Sequence, residues 1–188
     1  MQNEKDNTLI IVLVVIGLIA AGVGAYLIFF QNTDSAPTDN SAKEEGPLDL
    51  TGDLGQLVFK DADGNDAKLA DYMDGKTLII ANSWATWCPF CLQELLDFVD
   101  LQKKYGDELV IITINRAETL AQANSYLEDV GVAGELIHLQ DSKDSFYKGI
   151  NGIAMPETLF FDKDGKMVKQ QRGVMSLEKM ETNLELAR

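Results

Sequence analysis

Trp84-Ala85-Thr86-Trp87-Cys88-Pro89-Phe90-Cys91 holds both cysteines of this 188-residue chain, three positions apart. An apolar run over 77–82 leads into the stretch, and a helical pattern over 92–105 leads out of it. A strand therefore ends where a helix begins. That placement has a chemical consequence. The thiolate is the reactive form of cysteine, and a helix N-terminus presents partial positive charge and unpaired N–H groups that stabilise it. Cys88 is predicted to have a lowered pKa and to act as the nucleophile. Cys91, one turn into the helix, on the same side and farther from solvent, is predicted to attack a mixed disulfide at Cys88 and release the product.

Two other chemistries compete for a Cys-x-x-Cys pair. A tetrahedral zinc site needs more ligands than the chain supplies, because no second cysteine pair exists and His138 is the only histidine. No metal is therefore expected, and His138, on a strand pattern, reads as structural. A disulfide serving stability alone closes too small a loop to restrict the unfolded chain much. Redox exchange is the favoured reading.

Working outward, residues 9–30 form an uncharged apolar run of bilayer-spanning length, with Tyr26, Phe29 and Phe30 at its outer edge. A cleaved signal peptide is the rival. Its apolar core would be shorter, and no small-x-small cleavage pattern stands out after Phe30. The expectation is a cytoplasmic N-terminus over 1–8, a single-pass transmembrane anchor over 9–30 and a flexible tether over 31–47, rich in Asn, Asp, Ser, Thr, Pro and Glu. The globular domain, 48–188, is then extracytoplasmic, where dithiol chemistry persists. A net charge of −14 excludes an ordinary nucleic-acid surface and argues against tight adhesion to anionic lipid.

Within 48–188 the pattern is α/β. A short strand at 57–59 enters an Asp/Gly turn at 60–65, and a brief helix or turn covers 68–74. Asp61, Asp63 and Asn65 alternate like the start of a calcium loop, but glycine comes at the fourth place instead of the sixth. Strands are predicted at 77–82, 109–114 and 136–139, and helices at 92–105, 119–130 and 145–150. A hairpin of 157–161 and 167–171 turns at Asp162-Lys163-Asp164-Gly165, and a helix over 176–186 closes the chain. Strands alternating with helices, followed by a hairpin, predict a mixed central sheet with helices on both faces.

Strand, Trp-x-x-Trp-Cys-x-x-Cys, helix, and later Met155-Pro156 before a strand and an Asp-x-x-Gly turn resembles the thioredoxin fold. It is most similar to the membrane-anchored thiol-disulfide oxidoreductases of the TlpA and ResA type. The resemblance covers residues 48–188 and implies an N-terminal hairpin extension and a central helix–strand insert within 118–139. Pro156 matches the family's cis-proline, and the backbone of Met155 is implied to pair with the substrate chain. Asn82 stands where thioredoxins keep a buried aspartate, and Glu94 matches a glutamate that tunes the thiols and moves a proton; an exposed carboxylate that merely favours the helix start is the alternative. Relatives often carry a helix-kinking proline beyond that glutamate, whereas Leu95 and Leu96 stand here.

The resemblance implies an extracytoplasmic enzyme exchanging its Cys88/Cys91 pair with the cysteines of partner proteins. It would work as a reductase, for example in cytochrome c maturation, and be recharged by a membrane thiol redox partner. The expected catalytic set is Cys88, Cys91 and Glu94; the substrate-facing set is Trp87, Pro89, Phe90, Met155 and Pro156. No cofactor beyond the redox-active disulfide is expected. An oxidase or isomerase of exported proteins is the rival enzyme. A membrane-anchored soft-metal or protein-binding module is the rival of another class.

Overall fold

In a computed structural model of the chain, residues 48–188 are described. The expected N-terminus 1–8, anchor 9–30 and tether 31–47 lie outside the described residues. Among the described residues no helix is long and apolar enough to cross a membrane.

Seven strands form one mixed sheet: β1 Val58–Lys60, β2 Asp66–Lys68, β3 Leu78–Trp84, β4 Leu109–Arg116, β5 Ile137–Asp141, β6 Glu157–Phe161 and β7 Met167–Arg172. Their spatial order is β2-β1-β5-β4-β3-β6-β7. β3 lies at the centre, parallel to β4 and antiparallel to β6, and every one of its residues is buried. Covering both faces of a strand removes any reason for polar alternation, which is why its sequence reads as continuously apolar up to Asn82.

The two faces nonetheless divide cleanly by parity. Leu78, Ile80 and Trp84 join one apolar cluster, together with residues of the helices α1 Pro89–Tyr105, α2 Leu120–Asp129 and α4 Leu177–Glu185. Ile79 and Ala81 join the other, with Ile112, Ile114, Leu159 and Phe161 from neighbouring strands. That second face is closed by Phe146 and Ile150, at the short helix α3 Ser145–Gly149, and by the 3-10 turns Asp53–Gln56 and Leu69–Tyr72. The predicted helices on both faces are present. So are the N-terminal hairpin, β1–β2, and the central insert, α2 with β5, which pairs between β4 and β1.

Several boundaries shift by a residue or more from the periodicity reading, and two of the shifts bear on the site. β3 continues to Trp84 because Ser83 pairs with Glu157, and Trp84 with Asn115, two polar partners that pattern alone does not supply. The motif helix starts at Pro89, since proline at the first helical position lacks the N–H that would go unpaired there. With no proline after Glu94, α1 runs unbroken through Leu95 and Leu96 to Tyr105, and Gly106 closes it.

Candidate active site

The end of β3 and the start of α1 place the two cysteines. Cys88 is the N-cap residue of α1, its backbone extended, and Cys91 lies in the first turn; the two form a disulfide. A turn precedes them, closed by the Cys88 N–H donating to the Ala85 carbonyl at 3.1 Å. Cys88 and Cys91 are 2 % and 1 % exposed, so solvent access does not separate their roles in this oxidised state. Position along the helix does, with Cys88 nearest the unpaired N–H groups of the N-terminus.

Glu94, one turn beyond Cys91, is fully buried on the same face of the sheet. It is no exposed helix-face carboxylate. Its Oε2 accepts from Asn82 Nδ2 at 2.8 Å and from the Thr158 hydroxyl at 3.3 Å, and its Oε1 accepts from the Met175 N–H at 3.2 Å. Asn82 and Thr158 meet it together because they are register partners across β3 and β6, and both side chains face α1. Burial pushes the carboxyl up to about 7, although the Met175, Thr158 and Asn82 donors pull the other way. Such a group exchanges its proton near neutral pH, as general acid–base work requires.

A second loop closes on the motif. The Met155–Pro156 peptide bond is cis, and Met155 packs against the cluster that contains Cys88, Cys91 and Trp84. Pro156 is buried, leaving Met155 as the more open of the pair. The Gly173 N–H donates to the Pro156 carbonyl at 2.9 Å, so the segment after β7 lies alongside. Glu157 fixes the approach to the proline: its Oε2 accepts the N–H groups of Ile153 at 2.9 Å and Ala154 at 3.2 Å, and its Oε1 accepts Gln170 Nε2 and Arg172 Nε.

Around the enclosed disulfide stands an apolar rim. Trp87 and Phe90 are 62 % and 61 % exposed, Pro89 between them is exposed, and Trp84 is fully buried beside Tyr126. Ile153 and Val174 are exposed on the two adjoining segments. Large apolar side chains left in water next to a reactive pair are suited to contact another polypeptide. His138 bonds Thr113 and the Val132 carbonyl, and burial lowers its pKa, so it sits as a neutral, partnered side chain. Among the described residues no group of three or more His, Cys, Asp or Glu side chains is placed to hold a metal ion.

Sequence reasoning placed Cys88, Cys91, Glu94, Trp87, Pro89, Phe90, Met155 and Pro156, and the fold gathers them at one end of the sheet. It missed Glu118, Glu157, Ile153 and Val174. Glu157 left a trace, as the lone charged residue of a strand that is otherwise Thr-Leu-Phe-Phe. Glu118 left none, because its main partner, Thr86, lies far away in sequence.

The family described as Redoxin matches residues 31–186. The thiol-disulfide oxidoreductase ResA of Geobacillus thermodenitrificans (strain NG80-2) is 25% identical over 186 residues, 98% of each chain. The thioredoxin-like protein YneN of Bacillus subtilis (strain 168) is 30% identical over 132 residues, 68% of this chain and 74% of its own. Among solved structures, the exposed lipoprotein thioredoxin of Streptococcus pneumoniae strain TIGR4 aligns with a TM-score of 0.57 at 26% identity, over 69% of this chain and 97% of that one. A thiol:disulfide interchange protein of Chlorobium tepidum TLS aligns with a TM-score of 0.58 at 22% identity, over 70% and 92%.

Proposed function

The chain belongs to the Redoxin family, and on that premise we propose that it is a thiol-disulfide oxidoreductase that reduces disulfides in partner proteins through Cys88 and Cys91. The observation that carries this reading is the Cys88–Cys91 disulfide at the N-terminus of α1, with the buried Glu94, whose carboxyl burial pushes up to about 7, one turn further on. In the reduced enzyme the Cys88 thiolate attacks a substrate disulfide. One substrate sulfur leaves as thiolate and a mixed disulfide forms. Glu94 takes the proton of Cys91, whose thiolate attacks the Cys88 sulfur. The second substrate thiolate departs, and two electrons have passed to the substrate while Cys88–Cys91 is oxidised. Met155 offers its backbone to the substrate chain, and Trp87, Pro89 and Phe90 contact its flanks, with Pro156 holding the loop.

We place the domain outside the cytoplasm, tethered by a single-pass anchor at 9–30 with its N-terminus cytoplasmic. A membrane thiol partner recharges it, and cysteines of exported proteins, such as haem-attachment cysteines in cytochrome c maturation, are its substrates.

The test is the reduction potential of the full-length chain, equilibrated in dithiol buffers and read by thiol trapping. A value near the thioredoxin range of about −270 mV is expected; one near about −120 mV would make it an oxidant instead. Substitution of each cysteine assigns the roles. Cys91→Ser is expected to accumulate mixed disulfides with substrate, and Cys88→Ser to abolish exchange; the reverse pattern would exchange nucleophile and resolving thiol.

A further inference from the structure

The turn that delivers Cys88 is held from outside its own element. Glu118, on the connection from β4 to α2, turns its carboxylate onto Thr86, two residues before Cys88. Its Oε2 accepts the Thr86 N–H at 3.0 Å and its Oε1 the Thr86 hydroxyl at 2.6 Å. Asn115 Nδ2, at 2.6 Å, and Gln122 Nε2, at 3.0 Å, complete four donors on one carboxylate, and Gln122 also donates to the Thr86 hydroxyl. The backbone of Glu118 is fixed in turn. Ala117 before it sits in the left-handed region at φ 55 with its N–H on the Asp141 carbonyl, Gln140 donates to the Glu118 carbonyl, and Thr119 after it caps α2. Charge-assisted bonds to a fixed carboxylate hold geometry better than neutral ones.

We propose that Glu118 is a positioning residue of the dithiol: it pins the Ala85–Cys88 turn so that Cys88 stays at the N-cap of α1, and it thereby couples the central insert to the reactivity of the motif. This rests on the oxidoreductase reading only for its consequence in exchange. The geometric claim stands apart from it. Loosening the turn moves the Cys88 thiolate away from the helix N–H groups that stabilise it.

Three variants of the full-length chain test this: Glu118→Ala, Glu118→Gln and Thr86→Val. After reduction, the rate of Cys88 alkylation by iodoacetamide is followed against pH, and exchange with a disulfide-linked cysteine peptide is followed at one pH, with thermal unfolding as the control for folding. Glu118→Ala is expected to move the alkylation midpoint to higher pH and to slow exchange about tenfold, the equivalent of one charge-assisted hydrogen bond. Glu118→Gln keeps an acceptor for the Thr86 N–H but gives up the charge and one accepting oxygen, and is expected to fall between Glu118→Ala and the parent. Thr86→Val, which keeps the N–H bond to Glu118 but loses the hydroxyl's bonds to Glu118 and Gln122, is expected to fall between. An unmoved alkylation midpoint in Glu118→Ala overturns the proposal, as does Gln failing to rescue. If the parent does not exchange with the peptide at all, the functional reading falls, and the alkylation midpoints still decide the role of Glu118.

Discussion

At the scale of single residues, the site depends on side chains placed where their chemistry is altered. Glu94 has a folded pKa of about 7 against an ordinary 4.5, so between those values the folded protein keeps a proton that the unfolded chain has released. By linkage, this contribution to stability is full below pH 4.5 and is lost as the pH rises through 7, on the order of 3 kcal/mol in all. Comparing denaturant unfolding of the oxidised parent and of Glu94→Gln from pH 4.5 to 8 isolates it. The parent is expected to lose stability relative to the variant as pH rises, and parallel profiles would mean that Glu94 is not held protonated. Trp87 works differently, through exposed area. Trp87→Ala is expected to change stability by less than about 0.5 kcal/mol and to lower exchange with a protein disulfide about tenfold, while reduction by a small dithiol is unaffected. Equal losses with both would show that the ring serves the disulfide and not the substrate. The expectation that Glu94 serves the dithiol came from the family resemblance, whereas its burial was not legible in the sequence. Its buried Oε2 finds donors because Asn82 and Thr158, 76 positions apart, become neighbours across β3 and β6.

At the scale of elements, periodicity and punctuation were strong guides. Thr119 and Ser176 cap α2 and α4 by accepting from Gln122 and Lys179, as their place before helical patterns indicates. Asp61 and Asp162 each accept N–H groups of their own turn, and the alternating Asp61-Asp63-Asn65 is a hairpin turn between β1 and β2. The N-terminal 3-10 turn was not legible, because what decides it is a close approach. A Cβ on Gly55 would stand 1.7 Å from the Leu50 carbonyl oxygen. Backbone cannot yield as a side-chain tip does, so Gly55→Ala is expected to cost about 1–3 kcal/mol or more in denaturant unfolding. A loss below about 0.5 kcal/mol would mean that this turn does not pack as described. The extra residues at the end of β3 escaped for a related reason. Ser83 and Trp84 pair with polar residues of other strands, and no run of apolar residues marks that continuation.

At the scale of the whole molecule, a net charge of −14 is a field that every partner meets before contact. Exchange with cysteine peptides flanked by Lys or Arg is expected to be faster than with acidic peptides of the same length, and the difference to shrink as salt is raised from about 0.01 to 1 M. Equal rates at low salt would show that apolar contact around Trp87 and Phe90 governs encounter. The fold itself is one sheet whose two faces separate by residue parity, and that much is dictated locally. Side-chain alternation, the Pro89 helix start, the capping residues and the Asp/Gly turns each act within a few residues of sequence, so the α/β order, the dithiol at a strand–helix junction and the helices on both faces followed from the sequence alone. Tertiary structure decided which distant groups share a space. The cis-proline segment comes beside the motif through the pairing of β3 with β6, and Glu94 is enclosed by that same pairing. Glu118 reaches Thr86 because β4 lies next to β3. Those contacts depend on strand register and helix docking summed over the whole chain, and no local pattern encodes them.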